Sequence, residues 1–195
     1  MSIAARLGFP THVQATPSTT SSVKRSRRSI RLGPKGAVPS LGDMKLSLSP
    51  AEIVPLMIEE VLTLAESWLA WNGEVVERDG REMTPLKAIR RVTDHVIDHQ
   101  AEIQSRCTGH APLPDNWHHS AYTTAADRAP FGPADLNEAR ERLLRLSQLW
   151  RIVVEPIPPE MLDAAFPGQM TLRELATHTA GSKVYANVLG VIDHA

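Results

Sequence analysis

The sequence predicts an all-α fold: a four-helix bundle made of two similar helical hairpins joined by a long crossover. Apolar residues recur at spacings of three and four in four separate segments, as they do in helices that bury one face. Aromatic residues make up only 5% of the chain, which is thin for a β-sandwich and ordinary for a helical domain. Hydrophobic residues make up 42%, enough for a substantial core.

The charge distribution divides the chain in two. Residues 1–50 hold 8 Lys/Arg and 1 acid (+7), which leaves 13 basic and 21 acidic residues (−8) for residues 51–195. We therefore expect a basic, largely disordered extension over residues 1–48 and a bundle over residues 49–195. Three interpretations of the basic stretch 23–36 remain open: it is an arm that contacts a polyanion, a plain disordered extension, or an organelle transit peptide. No aromatic residue interleaves its arginines, so nucleic acid is not an expected partner.

The first helix is expected to begin at Ser49 as the N-cap, with Pro50 in its first turn and Glu52 at the capping-box position. The sequence Trp71-Asn72-Gly73 should end it. Its predicted buried face is Ile53, Leu56, Met57, Val61, Leu64, Trp68 and Leu69. Residues 74–83 are interpreted as a polar connection.

The second helix is expected from Thr84 to Cys107, because Thr84 suits the N-cap, Pro85 suits the first turn, and no Gly or Pro follows until Gly109. Its apolar stripe is Leu86, Ile89, Val92, Val96 and Ile103. His95 and His99 are four residues apart on one flank of this stripe, so both imidazoles can face one metal ion. Two ligands do not complete a site, and a third must come from elsewhere in the fold.

The third helix follows a long, turn-rich crossover, residues 109–136, and should open at Gly132-Pro133. Its predicted buried face is Leu136, Ala139, Leu143, Leu146, Leu149, Trp150 and Val153, and three prolines near residue 157 should end it. His118 and His119 in the crossover are interpreted as surface imidazoles, with one of them kept open as a further ligand.

The fourth helix should begin after Thr171, which with Glu174 forms a capping-box pattern, and should end near Gly190. Its spacing places His178 on or beside the buried face. The start MTLRELA echoes the MTPLKAI that begins the second helix, so the two hairpins look like an internal repeat that sets two similar helices side by side.

The segments TLRELATH (171–178) and HVIDHQAEI (95–103) resemble the ligand helices of the DinB-like superfamily of bacterial four-helix bundles. The resemblance covers about residues 50–190. It implies one divalent metal, zinc or nickel, with His95, His99 and His178 as ligands. It also implies a thiol-dependent transferase or hydrolase that uses a low-molecular-weight thiol and a small-molecule substrate. The formation of a homodimer is an open alternative at this point.

Further candidates surround this site. Arg91, one turn before His95, is a candidate anion-binding residue, and Asp94, Asp98, Glu102 and Glu174 are candidates for hydrogen bonds to the ligand imidazoles. Cys107 is interpreted as a packing residue at a helix end. The competing interpretation of the three histidines is that they are ordinary, partly buried side chains bonded to neighbouring acids.

Two other function classes remain open. One is a non-catalytic helical-bundle binding protein whose basic arm contacts a polyanion; the other is a metal-binding protein that stores or senses metal without turnover. The single cysteine fits a reducing compartment, and no run of about eighteen apolar residues is present, so we expect a cytoplasmic protein with no membrane span.

Overall fold

The computed structural model describes residues 48–78, 80–113 and 122–193, and these residues are mostly helical, as predicted. Every helix in these ranges is too short or too polar to span a lipid bilayer. The predicted basic extension lies outside the described residues except for Leu48, and so do Trp117, His118 and His119.

Helix α1, Pro50–Ser67, begins after Ser49 as predicted and continues into a 3-10 turn, Trp68–Ala70. The expected capping box does not form, because the Ser49 hydroxyl donates to the Glu52 carboxylate (3.1 Å) and accepts no backbone N–H. Leu56 and Leu69 are exposed, contrary to prediction. The helix carries more apolar residues than one face can bury, and the buried set is Val54, Met57, Ile58, Val61, Leu62, Ala65 and Trp68.

The segment predicted as a polar connection contains a short antiparallel hairpin, β1 (Val76–Arg78) and β2 (Arg81–Met83). Gly80 in the turn has a φ of 70°, in the left-handed region that glycine tolerates best. Met83 is 3% exposed and anchors the hairpin in the core.

Helix α2, Pro85–Cys107, has the predicted bounds, and the Thr84 side chain caps it by accepting the Lys87 N–H (3.2 Å). Val92, Val96 and Ile103 are buried as expected. Cys107 is exposed, so its interpretation as a packing residue is wrong. The last turn instead buries Arg106.

Helix α3, Pro133–Val154, opens after Gly132, whose N–H donates to Asp135 (2.9 Å). The 3-10 turn Ala126–Arg128 precedes it. Leu149 is exposed, contrary to prediction, while the buried side of the helix is formed by Leu136, Ala139, Leu143, Ser147, Trp150 and Val154. After the predicted stop, one further turn forms α4, Pro159–Leu162.

The fourth predicted helix has the expected extent but is interrupted. It consists of α5 (Leu172–Ala180), a 3-10 turn (Gly181–Lys183) and α6 (Val184–Leu189). Glycine is a poor helix former, which explains a break at Gly181. The predicted capping box is present, with Thr171 accepting the Glu174 N–H and Glu174 accepting the Thr171 N–H.

The core lies between these helices. Helix α1 packs against α3 and α5, and α2 packs against α3, α5 and α6. Two buried tryptophans tie distant segments together: the Trp68 indole donates to the Gly190 carbonyl (2.8 Å) and the Trp150 indole to the Pro50 carbonyl (2.9 Å). This packing places α5 beside α2, so that the third predicted histidine faces the first two.

Candidate metal centre

Three histidines from two helices meet at one point. His95 and His99 come from α2 and His178 comes from the last turn of α5. Their ring centroids are 4.5 Å apart for His95–His99 and 5.0 Å apart for each of the other two pairs. One ring nitrogen of each lies within 4.8 Å of the others. Nitrogen ligands of one Zn²⁺ ion lie at most about 4.2 Å apart, so small side-chain rotations could close the three onto one ion.

The local sequence explains why these side chains converge. Thr84 and Thr171 both cap their helices through the third N–H of the helix, so the echoed sequences start α2 and α5 in the same way. The four-residue step from His95 to His99 keeps both rings on the same side of α2. The contact between α2 and α5 then supplies the third imidazole.

His99 has the strongest signature of a metal ligand. Its side chain is 8% exposed, and its Nδ1 lies 3.0 Å from the Glu102 carboxylate. A carboxylate at this position fixes the proton on Nδ1 and leaves the lone pair on Nε2. That Nε2 is buried and has no hydrogen-bond partner among the described residues. A buried acceptor left unpaired costs about 1–3 kcal/mol, which a bound metal ion would offset.

Glu102 is itself held in place by Arg106, one turn further along α2. Arg106 pairs with the other carboxylate oxygen of Glu102 and donates to the Met170 carbonyl (2.6 Å). Its guanidinium carbon also lies 4.9 Å from the centre of the Phe166 ring. Arg106 therefore connects the residue that orients His99 with the segment that leads into α5, where His178 lies.

His95 has the protonation state that a ligand needs. Burial, with further contributions from His99, His178 and Arg91, lowers the pKa of His95 to about 3, although a hydrogen bond with the His178 backbone acts in the opposite direction. A histidine with so low a pKa is neutral at physiological pH. Its ring nitrogens are thus not blocked by a second proton.

His178 opens the cluster to the surface. It is exposed, whereas His95 is half-buried and His99 is buried. Its position in the last turn of α5 places it near the negative end of the helix dipole, which favours a cation. The cluster thus has one closed side and one side that a small molecule can reach.

Arg91 lies next to this cluster, but it is only 4% exposed. It donates to the Tyr185 hydroxyl (3.4 Å), and its guanidinium carbon lies 5.2 Å from the centre of the Tyr185 ring. Its charge contributes to the lowered pKa of His95, so it is close enough to act on the site. Whether it binds an anion stays a prediction.

Of the four acids predicted to support the ligands, Glu102 contacts one of them. Asp94 lies beside Arg90 and Arg91, at 3.8 and 3.9 Å, and Glu174 completes the cap of α5. Sequence reasoning missed Arg106. The available signal was its four-residue spacing from Glu102, the spacing of a helical ion pair.

No family model, no curated protein and no solved structure matches this chain. Its function is therefore inferred from the geometry of the histidine cluster and its surroundings.

Proposed function

We propose that the protein is a metal-dependent enzyme of the DinB-like type that binds one divalent metal, zinc or nickel, through His95, His99 and His178. The observation that carries this proposal is the buried, unpartnered Nε2 of His99, oriented by Glu102 toward two further imidazoles. In this proposal α1, α2 and α3 are three members of a four-helix bundle, and α5 with α6 forms the fourth.

The proposed reaction class is a transfer or hydrolysis that uses a low-molecular-weight thiol in the cytoplasm. Three protein ligands leave a coordination position open, where a bound metal would lower the pKa of a thiol or water and supply a nucleophile near neutral pH. Glu102 and Arg106 would hold the His99 ring in its ligating orientation. Arg91 would place positive charge beside a thiolate that approaches the open coordination position.

The test is a comparison of thiol conjugation rates. Protein loaded with zinc or nickel would be assayed with glutathione, bacillithiol or mycothiol and a chromogenic electrophile, with ester hydrolysis as a second arm. We expect a rate that disappears on chelation, returns on metal addition, and is lost in the His178→Ala variant. The matched control is His110→Ala, since His110 is an exposed histidine bonded to Thr108 (3.1 Å) outside the cluster. A rate that chelation and His178→Ala leave unchanged would contradict the proposal.

A further inference from the structure

The hairpin presents a single face to α6. In an antiparallel pair, directly opposed residues lie on the same side, and residues two apart along a strand share that side. The register pairs Val76 with Met83 and Arg78 with Arg81, so these four side chains share one face. Both strands contact α6. The paired acids Glu77 and Glu82 lie on the opposite face.

Arg78 and Arg81 form a like-charged pair at the end of this face. Like charges placed directly opposite each other on two strands destabilise a hairpin. Neither arginine forms an ion pair with any residue in the described part of the chain, although residues 51–195 carry a net charge of −8. Ten ion pairs are formed elsewhere in the described residues by other arginines and by Lys183. Within the same ranges Lys87 and Arg151 form no ion pair either, but both donate hydrogen bonds.

A pocket of about 250 Å³ lies between the hairpin and α6. It is lined by Arg78, Arg81, Met83, Val184, Tyr185 and Val188. The arginines supply positive charge and the other four residues supply apolar surface and a tyrosine ring. The volume falls just below the roughly 300–1,000 Å³ of pockets that enclose a drug-sized ligand, so it suits one end of a small molecule.

The pocket connects with the histidine cluster through two side chains. Tyr185 lines the pocket, and its hydroxyl and ring contact the Arg91 guanidinium. Arg91 lies on α2 four residues before His95, so both side chains are on the same side of that helix. Tyr185 is also seven residues beyond His178 along α5, the 3-10 turn and α6. A ligand seated in the pocket would therefore lie on the side of the cluster where Arg91 stands.

We propose that this pocket, the hairpin pocket, binds the anionic end of the small-molecule substrate: a carboxylate between Arg78 and Arg81, with an adjoining apolar segment against Met83 and Val188. The planar guanidinium fork matches a carboxylate. Calling the ligand a substrate rests on the proposed function. The pocket and its positive charge do not depend on whether the histidines bind a metal.

The test uses the full-length, metal-free protein, so that the histidines cannot bind the probe through a metal. Hexanoate and hexan-1-ol would each be titrated while amide chemical shifts are followed by NMR. We expect hexanoate to shift resonances in residues 76–83 and 184–188, and to bind at least tenfold more tightly than hexan-1-ol. Binding should weaken with salt, because both arginines are exposed.

Variants sharpen this test. The R78Q/R81Q double variant should weaken hexanoate binding at least tenfold, whereas R142Q/R145Q, which removes the same charge from the exposed side of α3, should change it less than twofold. Equal binding of hexanoate and hexan-1-ol by the unmodified protein, or equal losses in the two double variants, would overturn the proposal. Zinc titration of the unmodified protein reports on the histidine site separately, so failure of the pocket and failure of the metal site are distinguishable.

Discussion

At the scale of single residues, Glu102 decides how well His99 can serve as a ligand. Its carboxylate lies 3.0 Å from His99 Nδ1 and fixes the ring so that the buried Nε2 faces the other histidines. We predict that Glu102→Gln weakens zinc binding about 10- to 100-fold, because the amide orients the ring less well and reduces its basicity. Competition with a chromophoric zinc indicator would measure this change.

The control for this prediction is Glu138→Gln. Glu138 forms a four-residue helical ion pair with Arg142, as Glu102 does with Arg106, but on the exposed side of α3. Its loss should leave zinc affinity within about twofold of the unmodified protein, since solvent-exposed pairs contribute little. Equal effects of the two substitutions would mean that Glu102 does not act through His99.

A second residue-scale prediction concerns Asp127, which is 3% exposed and receives two hydrogen bonds from Arg90 (2.9 and 2.7 Å). Burial alone would raise the pKa of Asp127, but the bonds from Arg90 and Thr124 outweigh it and lower the pKa. A carboxyl with a lowered folded-state pKa stabilises the fold above its unfolded pKa of about 3.9 and loses that contribution as pH falls through the folded value.

We therefore expect Asp127→Asn to lower the free energy of unfolding by about 1.5–3 kcal/mol at pH 7. The difference from the unmodified protein should persist down to about pH 5 and shrink below about pH 4, because the acid protonates there in the unfolded chain. Urea unfolding at several pH values would measure it. A difference that stays constant down to pH 2 would show that the charge of Asp127 is not the cause.

At the scale of elements, the two threonine caps offer a paired test. Thr171 caps α5 at a partly exposed site, so Thr171→Ala should lower the free energy of unfolding by about 1 kcal/mol. Thr84 is fully buried and its hydroxyl also donates to the Asp127 carbonyl (2.5 Å). Thr84→Ala should therefore lower the free energy of unfolding by about 2–3 kcal/mol, because it removes the cap and also leaves a buried carbonyl without its hydrogen bond. Chemical denaturation compares them, and a larger loss for Thr171→Ala would contradict this account.

How far the sequence predicts an element depends on how many independent signals mark it. Helix α2 has an N-cap, a first-turn proline and an uninterrupted stripe, and its predicted bounds match the structure. The hairpin has three-residue strands, too short for a reliable alternation, and its one local signal is the Asp79-Gly80 pair. In α1 and α3 the apolar residues fill more than one stripe, so spacing alone could not separate buried Met57 from exposed Leu56 or buried Trp150 from exposed Leu149.

At the scale of the whole molecule, the histidine cluster depends on the packing of α2 against α5. Periodicity places His95 and His99 together. The third histidine, His178, was indicated only by the similar sequences that begin the second and fourth predicted helices and by the resemblance to the DinB-like ligand helices. Only part of the role of Arg106 could be predicted: its four-residue spacing from Glu102 indicates their ion pair, but its hydrogen bond to the Met170 carbonyl reaches a backbone group far away in the sequence. Contacts of that kind are set by the fold and leave no mark on residue spacing.

A metal bound between two helices should stabilise the entire fold. At a free zinc concentration of about 100 times its Kd, the free energy of unfolding should rise by about 2.7 kcal/mol. Differential scanning calorimetry should show a higher Tm with zinc than with chelator for the unmodified protein. His178→Ala should remove most of this increase. An equal zinc-dependent rise in that variant would place the metal elsewhere.

The most direct test of the central claim is the metal content of untagged protein, measured by elemental mass spectrometry beside the variants His95→Ala, His178→Ala and His110→Ala. We expect about one zinc or nickel per chain in the unmodified protein and in His110→Ala. We expect its loss in the other two variants, with helical content by circular dichroism unchanged. Absence of metal from the unmodified protein, even after incubation with zinc, nickel and manganese, would contradict the assignment of the three histidines as a metal centre.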